Sequence, residues 1–128
     1  MSARVWWTAG CMVGLIAVAG GAFGAHGLRE AVAPSRLATW NTGAEYAMYH
    51  AFALLSLAWL GARKPGTDVT AAGIALLMGI VLFTGSLWAL VLLDLPVLGA
   101  ITPLGGTSFL VGWLLAARAG WRRLGPQP

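Results

Sequence analysis

The chain has 128 residues, of which 59% are hydrophobic and only 9% charged, with a mean hydropathy of +0.78. A soluble domain carries roughly 25% charged residues, so too few charges are present to clothe a water-facing surface, and lipid must be the main solvent. The net charge of +4 is small and scattered, which argues against a nucleic-acid face and reads instead as topological charge.

The first apolar run covers residues 5–25, about 20 residues and so of span length. Thr8-Ala9-Gly10-Cys11 loosely resembles a lipoprotein box. Only Val5, Trp6 and Trp7 precede it as an apolar run, short of the roughly 7–15 residues of a signal core, so an uncleaved first helix is the better reading. Cys11 is the one cysteine, so neither an internal disulfide nor a cysteine-based metal site can form. Gly20 and Gly24, like Gly10 and Gly14, are four apart and share a face that admits a neighbouring backbone; Gly21 adds to it. Packing within the monomer is favoured over dimerisation through this face.

Residues 26–41 predict a short interfacial helical segment between helices 1 and 2. It consists of a turn at 28–32, a break at Pro34 and a second short piece from Arg36 to Trp40 capped by Ser35. The second span is predicted over 42–61. Thr42-Gly43-Ala44-Glu45 matches a capping box, in which the Thr hydroxyl accepts from the residue-45 amide and the Glu reaches back to the cap. Arg63-Lys64-Pro65-Gly66 marks a turn.

The third span is predicted over 69–93, capped by Thr67 or Asp68, with Gly85 on a small-residue side and Thr84 and Ser86 among its few polar groups. Asp94 at its end opposes the helix dipole and suggests a partner in Arg29, Arg36 or another protein. The fourth span, 103–119, starts from Thr102-Pro103, a capping hydroxyl followed by Pro at N1. At about 1.5 Å per residue it is the shortest, near 26 Å. Gly105-Gly106 at its start can pack against Gly20, Gly21 or Gly24, which is favoured over receiving an anionic headgroup. Trp6, Trp7, Trp40, Trp113 and Trp121 fall near predicted interfaces, where belt anchoring explains them.

Four spans place both termini and the 62–68 turn on one side. That side carries Arg4, Arg63, Lys64, Arg118, Arg122 and Arg123, against Arg29 and Arg36 on the other, which makes the termini cytoplasmic.

Four ordered motifs carry a resemblance: Gly21-Ala22-Phe23-Gly24-Ala25-His26, Thr42-Gly43-x-Glu45-Tyr46-x-x-x-His50-Ala51, Val81 to Leu87, and Thr102-Pro103-Leu104-Gly105-Gly106-x-Ser108-Phe109-Leu110-x-Gly112-Trp113. Over residues 5–121 the chain resembles the family called domain of unknown function 423, which includes YgdD-type bacterial inner-membrane proteins and a small animal transmembrane relative. Thr84 stands where the family pattern has Ser, and Trp88 where it has Tyr; both keep polar capability. The resemblance implies four helices and an inner-membrane or mitochondrial home, and no established activity.

The chemistry-bearing residues concentrate in His26, Thr42, Glu45, Tyr46, Tyr49 and His50, with Thr84 and Ser86 opposite. Ionisable groups at span depth usually face the bundle interior and default to a functional hypothesis. Tyr46 and His50 share a helix face at i, i+4, whereas Glu45 and His50 stand about 140° apart and cannot hold one metal from an undistorted helix. A metal site through His26, Glu45 and His50 lacks ligands, since three or four are usual. A proton relay through His50 and the tyrosines, and a polar pocket for a small molecule or lipid headgroup, stay open. The favoured reading is an interhelical hydrogen-bond network in which His50 pairs with Thr84 or Ser86.

The sequence therefore predicts an all-α integral membrane four-helix bundle forming one transmembrane domain over 1–128, multi-pass in the inner (cytoplasmic) membrane, with neither metal nor other cofactor. Its surroundings are the lipid bilayer and, on the favoured reading, other membrane protein subunits or copies of itself. The favoured role is a non-enzymatic accessory or assembly subunit of a larger membrane complex. The alternative is small-molecule, lipid or ion binding or transport through the Glu/Tyr/His cluster.

Overall fold

The computed structural model describes residues 1–125. It is all-helical, with four long helices: α1 (Ala3–Phe23), α2 (Pro34–Arg63), α3 (Thr67–Leu93) and α4 (Thr102–Leu124). A π-helical turn, Gly24–Leu28, prolongs α1, and a 3-10 turn, Pro96–Ala100, precedes α4. Three segments are long and apolar enough to cross a membrane: Ala3–Leu28, Thr67–Leu93 and Pro96–Leu124. Helix α2, although the longest at 30 residues, is not among them.

The interfacial segment expected between helices 1 and 2 is not a separate element. Pro34 does not break a helix there; it occupies the first turn of α2, where its missing N–H costs nothing and its fixed φ favours the helix. From that start α2 runs unbroken through Trp40 and Thr42, about 45 Å in all. The Thr42–Glu45 capping box is consequently absent: the Thr42 hydroxyl donates to the Ala38 carbonyl one turn back (3.0 Å), and Glu45 lies exposed in mid-helix. What holds residues 34–41 in the fold is Trp40, which is buried, donates its indole N–H to the Gly20 carbonyl (2.7 Å) and stacks on Trp88 with ring centroids 4.6 Å apart. Trp88 in turn donates to the Trp40 carbonyl (3.0 Å) and fills the space left by Gly20 and Gly43.

Consecutive helices pack antiparallel: α1 on α2, α2 on α3, and α3 on α4, while α4 meets α2 over only a short stretch. Small residues set the close approaches. Leu55 of α2 seats on Gly10 of α1, Trp6 of α1 on Gly73 of α3, and Phe109 of α4 on Gly79 of α3. Gly24 lies against Trp40, and Gly105 against the backbone of Phe83. Gly105 thus meets α3, not the Gly20–Gly24 stretch of α1. A Cβ placed on Gly21, Gly85 or Gly106 would meet nothing within 4 Å.

Helix α3 ends at Asp94, in the left-handed region at φ 55°, a conformation that Asp tolerates better than most residues. Arg36 supplies the partner that Asp94 needed: it forms an ion pair with the carboxylate and donates to the Leu90 carbonyl (3.3 Å) at the end of α3. Helix α4 begins at Thr102, but its hydroxyl bonds Ser86 (2.7 Å) instead of capping the helix. Neither Thr67 nor Asp68 caps α3; Gly66 is the cap residue, in extended backbone.

At the opposite end, the Met1 amine donates to Thr70 Oγ1 (3.1 Å), Arg123 donates to the Lys64 carbonyl (2.7 Å), and its guanidinium clasps Asp68. The chain start, the 64–70 turn and the end of α4 therefore meet at one end of the helices.

Candidate functional site: an aromatic groove between α2 and α4

His50 lies near the middle of α2 and is 4% exposed. Its Nδ1 is 2.6 Å from the Tyr46 carbonyl oxygen, and its Nε2 receives the indole N–H of Trp113 at 3.1 Å. A carbonyl can only accept and an indole N–H can only donate. The proton therefore sits on Nδ1, Nε2 presents its lone pair to Trp113, and the ring is neutral. Phe109 stacks on the imidazole at 3.5 Å between centroids. Trp113 stands eleven residues from either end of α4, because that helix runs on to Leu124. It is a mid-height residue and not an interface anchor. Trp6 and Trp40 depart from the belt expectation differently, by being buried, whereas Trp7 and Trp121 are exposed.

The expected partners of His50 are engaged elsewhere. Thr84 donates to the Gly43 carbonyl (2.8 Å), tying α3 to α2, and Ser86 bonds the Phe83 carbonyl (3.0 Å) as well as Thr102. His26 is exposed on the π-helical turn, and Glu45 and Thr42 do not join the His50 cluster. Among the described residues no three His, Cys, Asp or Glu side chains converge as a metal would require. The residues brought together are Tyr46, Tyr49 and His50 of α2, Phe83 of α3, and Phe109 and Trp113 of α4.

These side chains, with Gly106 and Leu110, line a groove of about 520 Å³. Its walls are aromatic: Tyr46 stacks on Phe83 at 4.7 Å and lies 5.8 Å from the Tyr49 ring. Tyr46 is 39% and Tyr49 55% exposed, and neither hydroxyl has a hydrogen-bond partner among the described residues. With the imidazole saturated, these two phenols are the polar capacity that the groove offers a visitor: two donors on an apolar, aromatic wall. Sequence reasoning missed Phe83, Phe109 and Trp113. The signal available was the i, i+4, i+8 spacing of Gly105, Phe109 and Trp113, which sets two large rings and a gap on one face of α4.

Residues 20–106 match the profile of a family described as a protein of unknown function, DUF423. The UPF0382 membrane protein YwdK of Bacillus subtilis is 44% identical over 113 residues, covering 88% of this chain and 92% of the relative. A UPF0382 membrane protein of Staphylococcus saprophyticus is 39% identical over 112 residues, covering 88% and 92%. One from Staphylococcus aureus is 41% identical over 106 residues, covering 83% and 86%. No solved structure matches the chain.

Proposed function

The chain belongs to the DUF423 family of uncharacterised membrane proteins, and from that premise we propose that it is a non-enzymatic, four-span protein of the cytoplasmic membrane. On this proposal it holds a lipid-soluble molecule in the groove between α2 and α4. Helix α2 must cross with its neighbours although its composition alone does not mark it as a span. It packs antiparallel to both α1 and α3, and it leads from the end of α1 to the start of α3, which lies beside Met1. The end that carries Met1 and the close of α4 also carries Arg4, Arg63, Lys64, Arg118, Arg122 and Arg123. That excess over Arg29 and Arg36 supports cytoplasmic termini.

The observation that carries the ligand reading is the pair of unpartnered phenol hydroxyls beside His50 at mid-height. Burying a hydroxyl in hydrocarbon without a hydrogen bond is unfavourable by about 1–3 kcal/mol in proteins, and polar groups at this depth mark working surfaces more often than not. The groove lies within the roughly 300–1,000 Å³ of small-molecule sites and has their character, apolar walls with a few convergent polar groups. Its occupant is a flat or chain-like apolar molecule bearing a hydrogen-bond acceptor for Tyr46 or Tyr49. Mass spectrometry of organic extracts from protein purified out of its own membrane tests this. A compound carried at near-stoichiometric amount by the wild type and lost from the Tyr46→Phe/Tyr49→Phe variant is the expected result. Identical extracts from the two would overturn it.

A second reading, an accessory subunit that docks other membrane proteins or copies of itself, draws on Gly21, Gly85 and Gly106, whose outward faces leave room for a foreign helix backbone. Co-purification of a stoichiometric partner that is lost on Gly85→Leu would favour it.

A further inference from the structure

We propose that the end of the molecule holding Met1 and the close of α4 carries a specific site for an anionic phospholipid, in the groove between the start of α1 and the end of α2. This groove, of about 450 Å³, has a floor of small residues, Ala3, Ala58 and Ala62, and is flanked by Trp7 and Trp59. Both indoles are about half exposed. Arg4 lines the groove, and the Arg63 guanidinium sits over the Trp59 ring, 4.2 Å from its centroid.

Charge complementarity selects the occupant. Asp68 is the one carboxylate side chain among the described residues at this end, and Arg123 takes it in an ion pair. Arg4 and Arg63 make no ion pair with any carboxylate among the described residues. Two uncompensated guanidiniums beside a greasy furrow at the rim of the helices ask for a ligand with an anionic head and an apolar tail. Guanidinium suits phosphate geometry, and stacking on Trp59 orders the Arg63 side chain before any ligand arrives. An acidic phospholipid places its phosphate between the arginines and one acyl chain along the alanine floor. Exposed tryptophans on each flank give that chain rigid walls at the level where indoles prefer to sit.

Each cation near a headgroup plane is worth about a fivefold change in affinity for an acidic lipid. Native mass spectrometry of the delipidated protein, titrated with phosphatidylglycerol and phosphatidylcholine of matched chains, reads this directly. The first phosphatidylglycerol is expected to bind roughly thirtyfold more tightly than the first phosphatidylcholine, the product of two such cations. Arg4→Gln should lower that preference by roughly fivefold, and Arg4→Gln/Arg63→Gln should abolish it. Ala62→Trp fills the furrow while keeping both charges; Ala62 is exposed, so the fold tolerates the change. That variant should weaken both lipids alike. Arg118→Gln/Arg122→Gln, at the same end but on α4, should leave the first binding event unchanged. The proposal fails if the two lipids bind equally, if the α4 pair matters as much as Arg4 and Arg63, or if Ala62→Trp has no effect. The Tyr46 and Tyr49 substitutions do not enter this titration, so its outcome is separate from that of the α2–α4 groove.

Discussion

Trp113 donates its indole N–H to Nε2 of His50 across the α2–α4 interface at 3.1 Å, and this bond decides what the imidazole can do. A ring whose Nε2 lone pair is taken and whose Nδ1 proton is given to the Tyr46 carbonyl is a strut, not a free base or metal ligand. Trp113→Phe keeps most of the ring contact and removes the donor. Interhelical hydrogen bonds in membranes are worth about 0.6–2 kcal/mol, so the variant should lose about 1 kcal/mol of stability in detergent unfolding. Nitrogen-15 NMR of the wild type should show His50 as the neutral tautomer protonated at Nδ1. A spectrum with the proton on Nε2 would reverse the assigned roles.

Gly105 and Gly106 are neighbours in sequence with opposite surroundings. A methyl on Gly105 runs into the backbone of Phe83, which cannot step aside as a flexible side chain would, whereas a methyl on Gly106 meets open space. Gly105→Ala should therefore cost about 1–3 kcal/mol or prevent folding. Gly106→Ala should be neutral or add up to about 1 kcal/mol through helix propensity. Thermal unfolding of the two purified variants under one detergent condition compares them, and equal effects would mean that α4 approaches α3 less closely than described.

Trp88 ties α3 to α1 and α2 toward the Asp94 end of the bundle. Its ring occupies the room left by Gly20 and Gly43 and lies against Trp40, and its N–H bonds the Trp40 carbonyl. Trp88→Ala empties that space and removes a bond to the Trp40 carbonyl, which keeps its own partner within α2, at a cost of about 3–5 kcal/mol. The expected sign is loss of the folded form, or a steep fall in yield and melting temperature. Trp88→Phe, which retains part of the ring, should fall between the two.

Much of this architecture is legible in composition and punctuation. The breaks at Pro65-Gly66 and at Asp94-Leu95-Pro96 and the start at Thr102-Pro103 all mark real helix ends, because Pro and Gly act locally on the backbone. Pro34 misleads for the same reason: proline both ends and begins helices, and the choice was made by Trp40, whose burial between Gly20, Gly24 and Trp88 is a tertiary fact. Tyr46, Tyr49 and His50 declare themselves as polar groups in an apolar run. Their partners do not, since which of Thr84, Ser86 or Trp113 faces His50 depends on the rotation of α3 and α4 about their axes. Hydropathy carries little information on that rotation when every face is apolar.

Asp68 and Arg123 join the start of α3 to the end of α4, with side chains only 16% and 11% exposed. The guanidinium of Arg123 clasps Asp68 as a carboxylate, so protonating that group removes the attraction between the two helix ends. A carboxylate held by a guanidinium contributes stability only while it is ionised, and a free carboxyl gives up its charge near about pH 4. Acid should therefore loosen the α3–α4 end only below about pH 4. Asp68→Asn should remove that dependence and cost about 1 kcal/mol at neutral pH, since water at the membrane face screens part of the attraction. The Arg36–Asp94 pair is the internal control. Asp94 is 80% exposed, so Asp94→Asn, which tolerates the same left-handed backbone, should change stability by under about 0.5 kcal/mol at any pH. Melting curves of the three proteins from pH 3 to pH 8 would separate the pairs. An acid transition that survives Asp68→Asn would assign it to another group.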